Sequence, residues 1–384
     1  MARAGRRVLF VGHEATRTGA PIMLLHLLRW LRASTDLDFD LLLPRDGPLL
    51  DDYRRLCTVF IADPRPHPSR AAALRARARR WRRPAEWLST VGRQLRRRDL
   101  GLIYANTVAN GPIVDWLAPL GCPVVCHVHE VDSWIRAMSP ADLAALPRRA
   151  STFITLTDPM DATLQRLGVA PERIVRIPGF VPAVALAAPD LAARRRFRRQ
   201  HQIPDDVVLV GGCGSVHWQK GTDLLVHIAG LASRSRLRAL HFVWVGGQDG
   251  EAVRQLRWDV ERSSASGCVS WIPALDDPSD YLRSLDILAI TSRDDPQPLV
   301  ALEAGACGVP VVCFRGNALL VDDTCGRVVP YLDLEQFAAA VRALADDGPL
   351  RATLGANLAE RVRANHDVAV NAPLIAEVIR SHIG

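Results

Sequence analysis

Short apolar runs alternate along this chain with stretches whose apolar residues recur at helical spacing, and that alternation predicts its elements. Residues 8–11 form one such run, ending at Gly12; Leu24, Leu27, Leu28 and Leu31 then mark one face of a helix. Runs at 39–43, 59–61, 102–105, 124–127 and 153–156 predict further strands, separated by helices after Gly47, near 112–118 and up to about Leu167. The pattern pauses at Ile177, Pro178, Gly179, Phe180, Val181 and Pro182; these residues, followed by the alanine- and arginine-rich stretch to Arg199, mark the boundary between halves and read as a hinge. It restarts with strands at 207–210, 242–245, 269–272, 287–290, 311–313 and 327–329, and closes in helices near 335–345, 350–365 and 373–382. Strands alternating with helices give doubly wound parallel sheets, so the predicted fold is α/β in two halves, 1–182 and 183–370.

Ligands of such sheets collect at the carboxyl ends of the strands, which is where chemistry is sought. The richest stretch is 291–313. A strand runs out into a Pro-rich turn carrying Asp295, a helix starting near Leu299 carries Glu303, and Gly308, Val309 and Pro310 end it before the next strand. Both acids point toward a pocket. The strand at 207–210 leads into a loop holding Gly211, Gly212, Gly214 and Ser215, with Lys220 and Gly221 at a helix entrance. A cation at the positive end of a helix dipole is ill placed for the helix but well placed for a phosphate. In the first half, Thr18, Gly19, Ala20 and Pro21 open a helix; this is either a phosphate-facing turn or a plain tight one. The strand at 124–127 delivers His127, His129 and Glu130 to its end, where the histidines are either structural or face a ligand that Glu130 helps them meet.

Composition sharpens parts of this picture. With 384 residues, 48% hydrophobic and 23% charged, the chain has the make-up of an ordinary two-domain globular protein. It has no apolar run of membrane-spanning length, and residues 8–11 are too short for a signal peptide core, so a cytoplasmic location is expected. The eight cysteines include no C-x-x-C pair and suit free thiols. The net charge of +7 comes almost wholly from arginine, and Lys220 is the one lysine in the chain. Residues 69–98 concentrate eleven arginines against one acid, Glu86, on two amphipathic helical patterns split at Arg83-Pro84. They read either as a solvated helical excursion or as a peripheral contact for anionic membrane or a phosphate-bearing acceptor. Aromatic interleaving and any nucleic-acid module are missing, so no specific nucleic acid is expected. Asp36, Asp38 and Asp40 spell a D-x-D pattern without a matching context and are read as surface acids, with no obligatory metal.

Taken in order, the turn at Gly19, the Lys-Gly motif in SVHWQKGTD and the acid-x7-Glu element in DDPQPLVALEAGACGVPVV resemble a retaining glycosyltransferase of family 4, of the GT-B fold. The resemblance implies two Rossmann-like domains facing a cleft, with a final helix at about 371–383 packing back on the first. It implies a nucleotide-sugar donor, an acceptor of unspecified chemistry and no further cofactor. Glu303 would bind the ribose hydroxyls, Asp295 would sit by the donor sugar, and Gln297, Pro298, Leu299 and Val300 would approach the phosphates. Lys220 would neutralise the departing diphosphate, Gly19 would face it from the first domain, and His129 would lie near the transferring sugar. Two departures stand out: the family's first acid is usually Glu where this chain has Asp295, and Gly214 replaces a basic residue, leaving Gly214, Ser215 and Arg293 as the donor-loop neighbours of Lys220. Retention in this family is ascribed to attack on the face from which the phosphate leaves, so no separate nucleophile is assigned. The rival readings are a nucleotide-sugar 2-epimerase of similar architecture, a basic nucleic-acid-binding protein, and a transferase that binds its donor without turning over.

Overall fold

The computed structural model of the chain describes residues 7–62, 87–187, 190–233, 239–247 and 250–383. It divides into two compact units, residues 1–178 with 371–384, and residues 179–370. The first unit holds a seven-stranded parallel sheet: β1 (Arg7–Val11), β2 (Phe39–Leu43), β3 (Thr58–Ile61), β4 (Leu100–Ala105), β5 (Val124–His127), β6 (Thr152–Thr155) and β7 (Ile174–Arg176), in the order β3-β2-β1-β4-β5-β6-β7. The second holds six parallel strands: β8 (Val208–Cys213), β9 (Leu240–Val245), β10 (Val269–Ile272), β11 (Ile287–Ile290), β12 (Val311–Phe314) and β13 (Gly326–Val329), in the order β10-β9-β8-β11-β12-β13.

These strands are apolar runs because both their faces are covered. Every residue of β2, β5, β11 and β12 is buried. Along β11 the side chains alternate between two cores: Leu288 and Ile290 pack with Leu302, Leu358 and Val362, whereas Ile287 and Ala289 pack with Leu225, Phe337 and Val341. In each sheet the order reverses once, between β1 and β4 and between β8 and β11. At these points neighbouring connections leave to opposite faces, and a crevice opens at the carboxyl ends.

Several expectations need correction. The two units divide between Pro178 and Gly179, inside the stretch read as a hinge, but its later part holds a helix, Leu191–Gln200, capped by Asp190, whose Oδ1 accepts from Ala193 N at 2.8 Å. Its Arg198 is 1% exposed. The guanidinium donates to Asp286 Oδ2 at 2.8 Å and to the carbonyls of Pro204 (2.8 Å) and Val207 (3.1 Å), while Leu209 N donates to the same Asp286 oxygen. This arginine ties a helix to the entrance of β8. Asp40, read as a surface acid, is fully buried at the start of β2 beside Arg7 (3.5 Å) and Arg98 (3.5 Å), and burial raises its pKa against the pull of both arginines. Its neighbours Asp36 and Asp38 lie at the surface, paired with Arg380 and Arg7. The helices Asp132–Ala137 and Pro140–Arg149 and the three-residue β7 were not expected; they are short elements with little apolar periodicity to announce them. Of the arginine-rich region, residues 69–86 lie outside the described residues. The helix Trp87–Arg96 buries Val91 and Leu95 and exposes Arg93 and Arg96. All eight cysteines are free, with Cys126, Cys313 and Cys325 buried. No described helix is long and apolar enough to cross a membrane.

Removing one partner of a buried ion pair strands the other charge. Arg198→Ala is therefore expected to lower unfolding free energy by about 3 kcal/mol in denaturant titrations. A loss below about 1 kcal/mol would show that Arg198 is dispensable.

Candidate active site

In the second unit the site grows from the loops that follow β8 and β11. After Cys213 the backbone turns at Gly214 (φ +139°), where a Cβ would lie 3.5 to 3.6 Å from the carbons of the Lys220 side chain. That is ordinary van der Waals contact, so it is the φ that favours glycine here. A single 3₁₀ turn, Trp218–Lys220, then reaches Gly221, whose φ of +63° favours glycine. A Cβ on Gly221 would come within 2.0 Å of the Thr291 carbonyl oxygen, so only glycine lets the two loops touch. Thr291 Oγ1 donates to Lys220 O at 3.1 Å across the same contact. The closeness has a consequence: Lys220 Nζ lies 2.5 Å from Asp295 Oδ2. Burial alone would lower the lysine pKa, and the Asp295 carboxylate more than reverses this, so the ammonium stays charged.

Asp295 is 7% exposed and its turn is braced from β12. Asn317 Oδ1 accepts from Asp295 N at 2.5 Å, and its Nδ2 donates to Ser292 O at 2.7 Å. Arg293 turns away to Asp223, with two bonds of 3.0 and 2.7 Å, and its guanidinium lies over the exposed Trp218 ring, 5.3 Å from the centroid. That engagement ties the turn carrying Arg293 to the helix Thr222–Ala232. Ser215 is exposed in the loop. Gln297 Oε1 accepts from Gly179 N at 2.7 Å, which fixes the turn ahead of the helix Leu299–Ala306. That helix has extended Pro298 as its N-cap, with no side-chain cap and no acid in its first turn, so the N–H groups of Leu299 and Val300 lack the usual side-chain acceptor. One turn on, Glu303 is half-buried and its carboxylate makes no hydrogen bond or ion pair among the described residues; burial and the Asp277 carboxylate push it up to about 7.

In the first unit the corresponding crevice lies where β1 and β4 end side by side, Val11 against Ala105. His13 and Glu14 follow β1. Burial would raise the Glu14 pKa, but His13 and the hydroxyls of Thr16 (2.7 Å) and Thr18 (3.2 Å) hold it at about 2. Thr18 is the N-cap of the helix Gly19–Ser34 and makes no side-chain cap bond, leaving exposed Gly19 at the helix start. After β5, His129 Nε2 lies 3.3 Å from Asn106 Oδ1, and its ring sits 4.2 Å from that of His127. His127 is buried, bonded through Nδ1 to the Tyr104 hydroxyl at 2.7 Å, and burial pushes its pKa down to about 3. Burial, then His127 and His13, hold His129 well below the ordinary histidine range, so both rings are neutral at pH 7. Glu130 does not touch the His129 ring. It accepts from Thr107 Oγ1, Val108 N (3.2 Å) and His129 N (3.2 Å), pinning the histidine by its backbone.

The structure thus brings Lys220, Asp295 and Gly214 together at one switch point, with Glu303 on the helix that follows Asp295, and places Gly19 and His129 at the other. Sequence reasoning missed Asn317, Asn106, Thr291 and Asp223. The asparagines did carry a signal, since each stands just past the carboxyl end of a strand, Asn106 directly after Ala105 and Asn317 after Gly316.

Two doubly wound domains, each with polar groups gathered at its switch point, define a protein of the GT-B class. Over 98% of this chain and all of the other, the fold matches the crystal structure of Anabaena HepE in complex with UDP and glucose, with a TM-score of 0.82 at 21% identity. Residues 18–179 match the glycosyl transferase 4-like domain and residues 205–347 match glycosyl transferases group 1. The chain belongs to this glycosyltransferase family. It is 31% identical over 203 residues to a D-inositol 3-phosphate glycosyltransferase of Stackebrandtia nassauensis, covering 48% of this chain and 44% of that one. With the enzyme of the same description from Xylanimonas cellulosilytica it shares 33% over 234 residues, 59% of this chain and 54% of the other. The chain spans about half the length of the curated relatives it matches.

Glu303 yields a test that needs no substrate. Its folded pKa is raised from 4.5 to about 7, so its ionised form costs stability progressively above pH 4.5 and fully above 7, and the cost falls away as pH drops from 7 to 4.5. Glu303→Gln should therefore stabilise the unliganded protein by about 2 kcal/mol at pH 8.5 and leave it nearly unchanged at pH 5. A variant equally or less stable at pH 8.5 would contradict the burial of this charge.

Proposed function

We propose that this protein is a retaining glycosyltransferase that moves a sugar from a nucleotide-sugar donor to an acceptor hydroxyl. The donor is held by the second domain, taken as 183–370, and the acceptor side is the first, 1–182, with the helix at 371–383 added to it. The observation that carries the reading is the Lys220–Asp295 pair beside a helix start with no side-chain cap and an unpaired Glu303 one turn on.

The chemistry follows from charge. As the bond between the anomeric carbon and the phosphate oxygen breaks, positive charge grows on the sugar and negative charge on the leaving diphosphate. Lys220 and the N–H groups of Leu299 and Val300, on the segment from Gln297 through Pro298, meet that negative charge, which stabilises the transition state more than the ground state. Gly214 and Ser215 leave the backbone of their loop open to the phosphates. The acceptor hydroxyl attacks from the face the phosphate leaves, and its proton passes to a phosphate oxygen. Asp295 holds Lys220 in place before the donor binds and then accepts from a sugar hydroxyl. Glu303 accepts from the ribose hydroxyls, which supplies the hydrogen bonds its carboxylate lacks. Arg293 acts through Asp223 and Trp218, shaping the loop. Gly19 gives a diphosphate close backbone approach on the first domain, and His129 contacts the transferring sugar.

HepE was solved with UDP and glucose, so UDP-glucose is the first donor to test. Relatives described as D-inositol 3-phosphate glycosyltransferases make a phosphorylated cyclitol the first acceptor to try. No metal or further cofactor enters the reaction. The reading places the protein in the cytoplasm, with the arginines of residues 69–98 suited to a peripheral contact with anionic lipid.

Thermal-shift screening against nucleotide sugars should give one donor that raises Tm, since ligands stabilise the state they bind. With that donor, Lys220→Met should lower kcat by about 100-fold or more, beyond the fall in Tm that stranding the Asp295 carboxylate entails, and NMR of the product should show the donor's anomeric configuration. Full turnover in Lys220→Met, or an inverted product, would overturn the mechanism.

A further inference from the structure

The buried side chain of Asn106, 1% exposed, stands at the β1–β4 switch point and touches both elements assigned a role on the first domain. Its backbone N–H donates to Val11 O at 2.9 Å, which seats it against the end of β1. Its Nδ2 donates to Ala20 O at 3.1 Å, on the turn that carries Gly19. A carbonyl oxygen can only accept, so that bond fixes the amide orientation and turns Oδ1 toward His129 Nε2, 3.3 Å away. Oδ1 in turn can only accept. Nε2 must therefore carry the ring hydrogen.

We propose that Asn106 is a positioning residue that locks His129 as its Nε2–H tautomer and aims Nδ1, with its lone pair, at a hydroxyl of the substrate. His129 is neutral in its buried site, so the ring has a single hydrogen and Asn106 decides which nitrogen bears it. Nδ1 has no hydrogen-bond partner among the described residues. The backbone of His129 is held independently, by Glu130, which is itself gripped by Thr107 Oγ1 and Val108 N from the same loop as Asn106. Consecutive residues after β4 thus clamp consecutive residues after β5: Asn106 sets the ring and Thr107, through Glu130, sets the chain. A histidine poised this way accepts a hydrogen bond from the sugar and offers none to it, which selects for a hydroxyl at that position over an ether or carbonyl oxygen. The hydroxyl is one of the donor sugar's own, so the inference rests on the glycosyltransferase reading.

The full-length protein labelled with ¹⁵N-histidine tests it directly, with the His129 ring signals assigned by their loss in His129→Gln. At pH 7 the wild type should show Nε2–H and unprotonated Nδ1, and Asn106→Leu should show a mixture of tautomers. In turnover of the donor found by thermal shift, Asn106→Leu should lower kcat by about 10- to 100-fold with donor KM within twofold. Asn106→Asp keeps the acceptor but sets a carboxylate beside the ring, so it should raise the His129 pKa and add an acid limb to the kcat–pH profile. An Nδ1–H ring in the wild type overturns the proposal, whether or not any variant folds. A kcat unchanged in Asn106→Leu overturns it as well. A wild type that turns over no nucleotide sugar sinks the functional reading alone, because the ring spectrum still decides the tautomer.

Discussion

The second domain depends on one close approach, that of Gly221 to the carbonyl of Thr291. Loops that leave β8 and β11 toward opposite faces of the sheet meet there only because no Cβ intervenes. From that contact comes the 2.5 Å pairing of Lys220 with Asp295, and from the pairing a cation kept charged in a mostly buried place. Such a lysine is held by its partner without being saturated, since an ammonium has three donors and Asp295 takes one. On the reading proposed above, a diphosphate would meet a site whose positive charge is already desolvated and oriented, with little reorganisation at the moment of reaction.

The first domain solves a different electrostatic problem. At its switch point stand His129, held neutral by burial and backed by the equally neutral, buried His127, and Glu14, held ionised by His13 and two threonine hydroxyls. Neutral rings and an internally satisfied carboxylate leave this surface able to orient hydroxyls without drawing counter-ions. In the proposed reaction the Lys220–Asp295 site would meet an anion and the histidine site a neutral sugar. That difference in charge state, more than any single residue, suits a reaction in which a neutral sugar leaves a charged diphosphate.

Much of this was legible in the sequence, for identifiable reasons. Strands buried on both faces must be continuous apolar runs, so β2, β5, β8, β11 and β12 announced themselves. Lys220 stood out as the lone lysine at a helix entrance, and Asp295 and Glu303 as acids flanking a helix start at a strand's end. Partnership was harder to see. That Arg293 belongs to Asp223, seventy residues earlier, and that Arg198 is buried against Asp286 depend on which chain segments become neighbours. An arginine-rich composition hid both. Asn106 and Asn317 escaped because an asparagine past a strand reads as a turn former, and only the fold shows its amide bridging two loops.

In the proposed mechanism, Lys220 is a diphosphate ligand restrained by Asp295. Calorimetric titration with the nucleoside diphosphate that stabilises the wild type most, compared between wild type and Asp295→Asn, tests it directly. Neutralising Asp295 frees the ammonium and removes a nearby negative charge, so the diphosphate should bind several-fold more tightly to Asp295→Asn. Equal or weaker binding would contradict the claim and place the diphosphate away from Lys220.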